Sequence, residues 1–232
     1  MNTGQHISHK FDEEVEEVTT SVLNMGGLVV QQIDRAIKAL LTGDKMLAQG
    51  VIDDDVKVNT LDVEIDEMCN RIIVVRQPTA TDLRLIMAII KTTSDLERMG
   101  DEAKRIARQA IDISKRGALP EQFESIEQMS ARVNTMLNRA LDAFARRDIE
   151  EGLKVIHIDR KVDKDYENLV RQQITHMMED PRKIPVAIDL LWASRALERI
   201  GDRSCNICEY VIYLVKGKDV RHTELKELTE HF

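Results

Sequence analysis

One six-residue string occurs twice in this chain. Leu96-Glu97-Arg98-Met99-Gly100-Asp101 returns as Leu197-Glu198-Arg199-Ile200-Gly201-Asp202, changed only at its fourth place. The recurrence marks a tandem duplication, so the fold must divide into equivalent halves. Each copy keeps two carboxylates four residues apart, and at about 100° per helical residue those positions share a face. Like charges so placed cost a helix roughly 0.2–0.5 kcal/mol. Gly100 and Gly201 add about 1 kcal/mol each inside a helix, while letting another group approach the backbone closely. A cost kept twice implies something positive that offsets it, and a metal ion is the simple candidate.

Apolar residues recur at helical spacing almost throughout. Val15, Val18, Val22, Val29, Ile33, Ile37 and Leu40 form a first stripe that runs to Thr42-Gly43. Val51, Val58, Leu61, Ile65, Met68, Ile72 and Val75 form a second, which stops at Gln77-Pro78. A third segment opens at Pro78-Thr79-Ala80-Thr81-Asp82, good helix-start chemistry, and runs to about Arg116-Gly117, with Pro120 at the midpoint. Three more segments follow, bounded by Arg147-Asp148, Asp180-Pro181 and Lys216-Gly217. With only 4 Pro, 10 Gly and 3% aromatics, the composition also favours long helices.

Met25 aligns with Met129, Asp44 with Asp148, Asp55 with Asp159, Lys57 with Lys161 and Val58 with Val162, an offset of 104. The Leu-Glu-Arg strings are offset by 101, so three residues drop out near Gln77-Pro78. The expected fold is all-α: two tandem three-helix bundles, residues 1–117 and 118–218, related by a pseudo-two-fold axis. Residues 219–232, with Arg221, His222 and a run of Glu and Lys, are expected to form a loosely attached surface helix or a disordered tail.

In helical projection Leu83, Ile86, Met87, Ile90 and Ser94 make a stripe that Glu97 and Asp101 continue. Ala187, Leu191 and Ser194 lead likewise into Glu198, Asp202 and Cys205. Each acidic pair is therefore expected along an apolar seam facing other helices. Leu85, Ile89, Leu96 and Met99 occupy the opposite face, which makes the third helix apolar almost all round and central to its bundle. A second pair sits on the middle helix of each copy: Asp55 and Asn59 in the first, Asp159 and Asp163 in the second, again i and i+4. Two such pairs from adjacent helices would surround a hard cation with oxygen ligands. Asn59 supplies only a neutral oxygen, so the first-copy site is expected to be the less charged and the weaker. The plainer account is that these acids are solvated, or paired with Arg98, Arg105, Arg199 and Arg203, all within reach.

Other chemistry is thinly signalled. Cys205-Asn206-Ile207-Cys208 spells CxxC, but inside a helix, with no preceding strand and no second pair of zinc ligands; buried small residues are the better account. His157 and His176 lie in the fifth helix and no Glu-x-x-His occurs, which argues against a ferritin-like di-iron oxidase. No Gly-rich phosphate loop, serine elbow or Cys/His nucleophile signature is present. A net charge of −8 without any Lys/Arg-rich run argues against nucleic-acid binding. Met1 to Phe11 is polar, so no signal peptide is visible, and the most apolar stretch, Leu85 to Ile90, is far too short to span a bilayer. Three cysteines, an odd number, read as reduced. A soluble cytoplasmic protein is expected, one that docks at a membrane if it works there.

Taken together, Met25-Gly26-Gly27, Arg76 to Arg84 (RQPTATDLR), Asp95 to Asp101, Asp159 to Asp163 (DRKVD), Met178 to Arg182 (MEDPR) and Ala196 to Asp202 resemble the PhoU family, over essentially the whole chain up to about Lys218. The resemblance implies two three-helix bundles with a metal-binding E(D)xxxD motif on two helices of each. Here those motifs map onto Asp55/Asn59 with Glu97/Asp101, and Asp159/Asp163 with Glu198/Asp202. The ion would be divalent or trivalent, with Mg, Mn, Zn and Fe all open. The resemblance further implies action without catalysis, repressing the phosphate-starvation response when phosphate is plentiful. The implied partners are the phosphate ABC transporter's ATPase and the phosphate-sensing membrane histidine kinase, with self-association as a homodimer and contact with the membrane only through partners. Two other readings stand beside it: a carboxylate-cluster metalloenzyme, such as an oxidase or phosphohydrolase, and a purely structural bundle with its acids tied in salt bridges.

Overall fold

The computed structural model describes residues 3–116, 123–221 and 223, and among these it holds six α-helices, one short 3₁₀ turn and no strand. The helices are α1 (Thr3–Thr42), α2 (Lys45–Arg76), α3 (Ala80–Arg116), α4 (Glu124–Arg146), α5 (Ile149–Glu179) and α6 (Ile184–Lys216), with the 3₁₀ turn at Pro181–Lys183. Their ends follow local chemistry. Asp44 and Asp148, equivalent in the two copies, cap α2 and α5: the N–H of Leu47 and of Glu151 each donates to the cap Oδ1 at 3.0 Å. Just before each cap the chain turns left-handed, at Gly43 (φ 68°) and at its counterpart Arg147 (φ 55°). Glycine takes that conformation freely, whereas arginine bears a Cβ penalty of about 1 kcal/mol. Pro120 lies outside the described residues.

Helices α1, α2 and α3 pack on one another, as do α4, α5 and α6. The halves meet through α3 against α6 and α1 against α4, which leaves α2 and α5 on the outer flanks. Each element at the junction thus meets its own counterpart, as a two-fold relation requires. Ile86, Ile89, Leu96, Met99 and Ile106 of α3 are fully buried, so this helix is apolar on nearly every side, as its sequence predicts. Each such side chain contributes roughly 1.5–3 kcal/mol by leaving water. The buried apolar residues of both halves join in one continuous core.

The junction is not wholly apolar. Asp95 of α3 is buried, and its Oδ2 accepts from Tyr210 Oη at 2.9 Å and Asn206 Nδ2 at 3.3 Å, both on α6. Burial pushes the Asp95 carboxyl up, against those two hydrogen bonds. Glu102, also buried, receives Arg105 at 3.1 Å and Arg199 at 3.3 Å. Among the described residues no helix is long and apolar enough to cross a membrane.

The tail departs from expectation at its start. Val220 is 1% exposed, packed on Leu153 of α5 and Ile212 of α6. An apolar side chain that finds a gap between two helices anchors the chain there, so the first tail residues are held rather than loose. His222 and residues 224–232 lie outside the described residues.

Candidate metal site

The two acidic grooves lie between α2 and α3 and between α5 and α6, and a glycine opens each. A Cβ on Gly201 would sit 3.4 Å from Asp159 Oδ1, 3.5 Å from Val162 Cγ1 and 3.8 Å from Met136 Cε. On Gly100 it would sit 3.6 Å from Asp55 Oδ1, 3.4 Å from Val58 Cγ1 and 3.1 Å from Gln32 Oε1. These are the same three positions in the two copies. The missing side chain leaves open space where an aspartate of the middle helix faces the backbone of the third.

In the second half, Asp159 and Asp163 of α5 and Asp202 of α6 offer oxygens that all lie within 4.8 Å of one another. Asp159 Oδ1 and Glu198 Oε2 are buried and have no hydrogen-bond partner. Burial first, then Asp163 and Asp202, push the Asp159 carboxyl up to about 7, against the lowering effect of the nearby Cys205 thiol. Glu198, Asp202 and Asp163 are raised as well, burial being the leading cause in each. Arg195 pairs with the other oxygen of Glu198 and lies 5.7 Å from the centre of the Tyr166 ring. Three clustered carboxylates, one with an orphaned oxygen, suit a hard divalent or trivalent cation, which would relieve both the repulsion and the desolvation.

The first half is arranged differently. Asp55 of α2 and Asp101 of α3 converge on Lys104, whose Nζ is 2.5 Å from Asp55 Oδ2 and 2.7 Å from Asp101 Oδ1. Desolvation pulls the Lys104 ammonium down, but its hydrogen bonds to Asp101 and Asp55 outweigh it and the net shift is upward. Asn59 is exposed, with Nδ2 3.5 Å from Asp55 Oδ2. Glu97 is half-buried, and burial, then Asp101, raise its carboxyl. Among the described residues, no group of three potential ligands comparable to the second-half set forms here.

The acidic pairs sit at the rim of the seam rather than within it. Glu97, Asp101, Asp159 and Glu198 are half-buried, Asp163 and Asp202 are exposed, and only Asp55 is fully buried. Helix α3 is packed by α1, α2 and α6, so only the groove edge is left for ionised groups, where water shares their solvation. Of the arginines that the plainer account would enlist, Arg105, Arg199 and Arg203 make their ion pairs with Glu102, and Arg203 lies 3.9 Å from Asp95, while Arg98 lowers the Glu97 carboxyl through its charge. Lys104 and Arg195 pair with the motif acids instead, and both went unnoticed in the sequence. Their i,i+3 spacing to Asp101 and Glu198 was the available signal. Cys205 and Cys208 are buried, as expected of small core residues.

The PhoU domain model matches the chain twice, over residues 22–110 and 126–211. The chain is 51% identical over 222 residues to the phosphate-specific transport system accessory protein PhoU of Serratia marcescens, covering 96% of this chain and 91% of that one. It is 47% identical to the same-named protein of Escherichia coli K12, covering 98% and 94%. Among solved structures it is similar to PhoU from Pseudomonas aeruginosa, with a TM-score of 0.87 and 46% identity over 90% of this chain and 100% of that one. It also matches the phosphate transport system regulatory protein PhoU from Streptococcus pneumoniae, with a TM-score of 0.84 and 32% identity over 90% and 99%.

Proposed function

The chain belongs to the PhoU family, and from that premise we propose that it is a non-enzymatic regulator of phosphate uptake acting in the cytoplasm. It represses the phosphate-starvation response by engaging the ATPase of the phosphate ABC transporter and the phosphate-sensing membrane histidine kinase, as a homodimer that reaches the membrane only through these partners. The observation that carries this reading is the match of both halves, at 46–51% identity over nearly the whole chain, to proteins named for an accessory role in phosphate transport. An apolar stripe at i, i+4 and i+8 on α6 supports a docking role: Ile184, Ile188 and Trp192 are 37%, 42% and 61% exposed.

A metal ion at the ExxxD carboxylates belongs to the same proposal. Asp159, Asp163 and Asp202 would hold it, and Glu198, one helical turn before Asp202, keeps a buried oxygen without a partner. Bound there, the ion supplies the positive charge that lets acids of α5 and α6 stay ionised side by side. Asp55, Asn59, Glu97 and Asp101 form the corresponding positions of the first half. A strain that lacks its own regulator of this kind and carries a phosphate-regulated reporter, complemented with this chain, tests the reading. Restored repression in high phosphate is expected, lost in Asp159→Asn/Asp202→Asn; a reporter still fully active with the wild-type chain would refute the regulatory role.

A further inference from the structure

The two grooves occupy equivalent positions but carry different residues. Through the offsets of the repeat, Lys104 stands where α6 has Cys205, Asn59 where α5 has Asp163, and Gln32 where α4 has Met136. We propose that the Lys104 ammonium is the first half's built-in cation, so that this half takes no metal ion and ion dependence belongs to the second half alone. The inference rests on the reading that the second-half carboxylates hold a metal.

The geometry supports it at three points. The ammonium lies 2.5 Å from an oxygen on α2 and 2.7 Å from an oxygen on α3, the place a cation bridging those helices must occupy. The pair is no loose surface contact, because the side chains of Lys104 and Asp55 are 19% and 6% exposed. The ion pairing differs as well: Lys104 pairs with both Asp55 and Asp101, whereas among the described residues Asp159, Asp163, Glu198 and Asp202 have one ion pair, from Arg195 to Glu198, and Arg199 and Arg203 act on Asp202 through their charge alone. A tethered ammonium competes with free ions at the high effective concentration of an intramolecular group. Asp55 Oδ1 and Gln32 Oε1, both buried and unpartnered, meet beside Gly100, where Met136 makes the second-half surface apolar.

The full chain, stripped with chelator and titrated with Mn²⁺ by electron paramagnetic resonance, tests this. Wild type is expected to bind at the second half only, with binding lost in Asp159→Asn/Asp202→Asn and kept in Asp55→Asn/Asp101→Asn. Adding Asn59→Asp/Lys104→Cys to the Asp159→Asn/Asp202→Asn background gives the first half its counterpart's donors, and is expected to gain one ion per chain. No gain, or loss of wild-type binding in Asp55→Asn/Asp101→Asn, overturns the proposal. Should the four-fold variant fail to fold by circular dichroism, Lys104→Met in that background decides. A Tm raised by Mn²⁺ supports the proposal, and an unresponsive Tm overturns it. Wild type that binds nothing while the Lys104 variants do would refute the second-half metal reading, and with it the ion dependence assigned to that half, while Lys104 would stand as the first half's cation.

Discussion

Gly201→Ala puts the reason for the doubled glycine to a quantitative test. The backbone at Gly201 is helical and outside the left-handed region, so alanine fits its conformation without strain. The new methyl would meet its three neighbours at 3.4, 3.5 and 3.8 Å, ordinary van der Waals distances. Helix propensity then favours alanine by about 0.8–1 kcal/mol, and burying one methyl adds up to about 0.8 kcal/mol. The metal-free variant should therefore be more stable by about 1–2 kcal/mol, which for a chain of this size raises Tm by roughly 2–8 °C. Differential scanning calorimetry of chelated protein reads this directly. The same methyl fills the space beside Asp159 Oδ1, one of the orphaned oxygens, and limits that carboxylate's freedom to turn toward an ion, so Mn²⁺ affinity should fall by about tenfold, or roughly 1.4 kcal/mol. Gly100→Ala should gain less stability, because its methyl would sit 3.1 Å from Gln32 Oε1 and force that amide aside. A Tm that stays level or drops in Gly201→Ala would show that the glycine serves packing and not the carboxylate. A raised Tm with unchanged Mn²⁺ affinity would sever the glycine from the ion.

Two further outcomes test other parts of the fold. Burial, then Asp219, push the Glu209 carboxyl up to about 7 from an ordinary 4.5. The native state therefore holds this proton more tightly than the unfolded chain, and the carboxyl lowers stability progressively as pH rises from about 4.5 to 7. Glu209→Gln should thus be neutral near pH 4 and stabilising by about 1–2 kcal/mol at pH 8, after allowance for solvent screening; equal urea midpoints at pH 8 would contradict this. Asp44→Ala and Asp148→Ala should each cost about 1 kcal/mol, since both remove the same 3.0 Å cap bond, and they should add in the double variant. Strong non-additivity in urea titrations would contradict independent capping in the two halves.

The helices were legible because what sets them is local. Apolar spacing, the cap aspartates and the turns at Gly43 and Gly217 act within a few residues, and the six helices end within one or two residues of the positions these signals mark. The duplication was legible for the same reason, as a repeated string. Which cation meets which acid was not, because it depends on how helices face one another in space. Glu102 draws Arg199 and Arg203 because α3 lies on α6, and Lys104 reaches Asp55 because α2 lies on α3. The depth of the acids was overestimated too. A helical projection gives direction, while the extent of burial depends on how many neighbours crowd that side. Val220 shows the converse, since nothing around it in sequence announces a cleft waiting between α5 and α6.

Glu102 and Arg203 occupy one and the same slot of the repeat, 101 residues apart, and Arg203 Nη1 lies 3.8 Å from Glu102 Oε1. Corresponding slots can touch only where the symmetry axis passes. A self-pair of identical subunits must set any residue against itself there, acid on acid or base on base. Fusing the subunits into one polypeptide lifted that restriction, since each slot then varies alone and opposite signs can meet at the centre. Swapping in a duplicate of either half would restore the clash of like charges, at several kcal/mol. The molecule is in that sense a heterodimer that has lost the freedom to exchange its members.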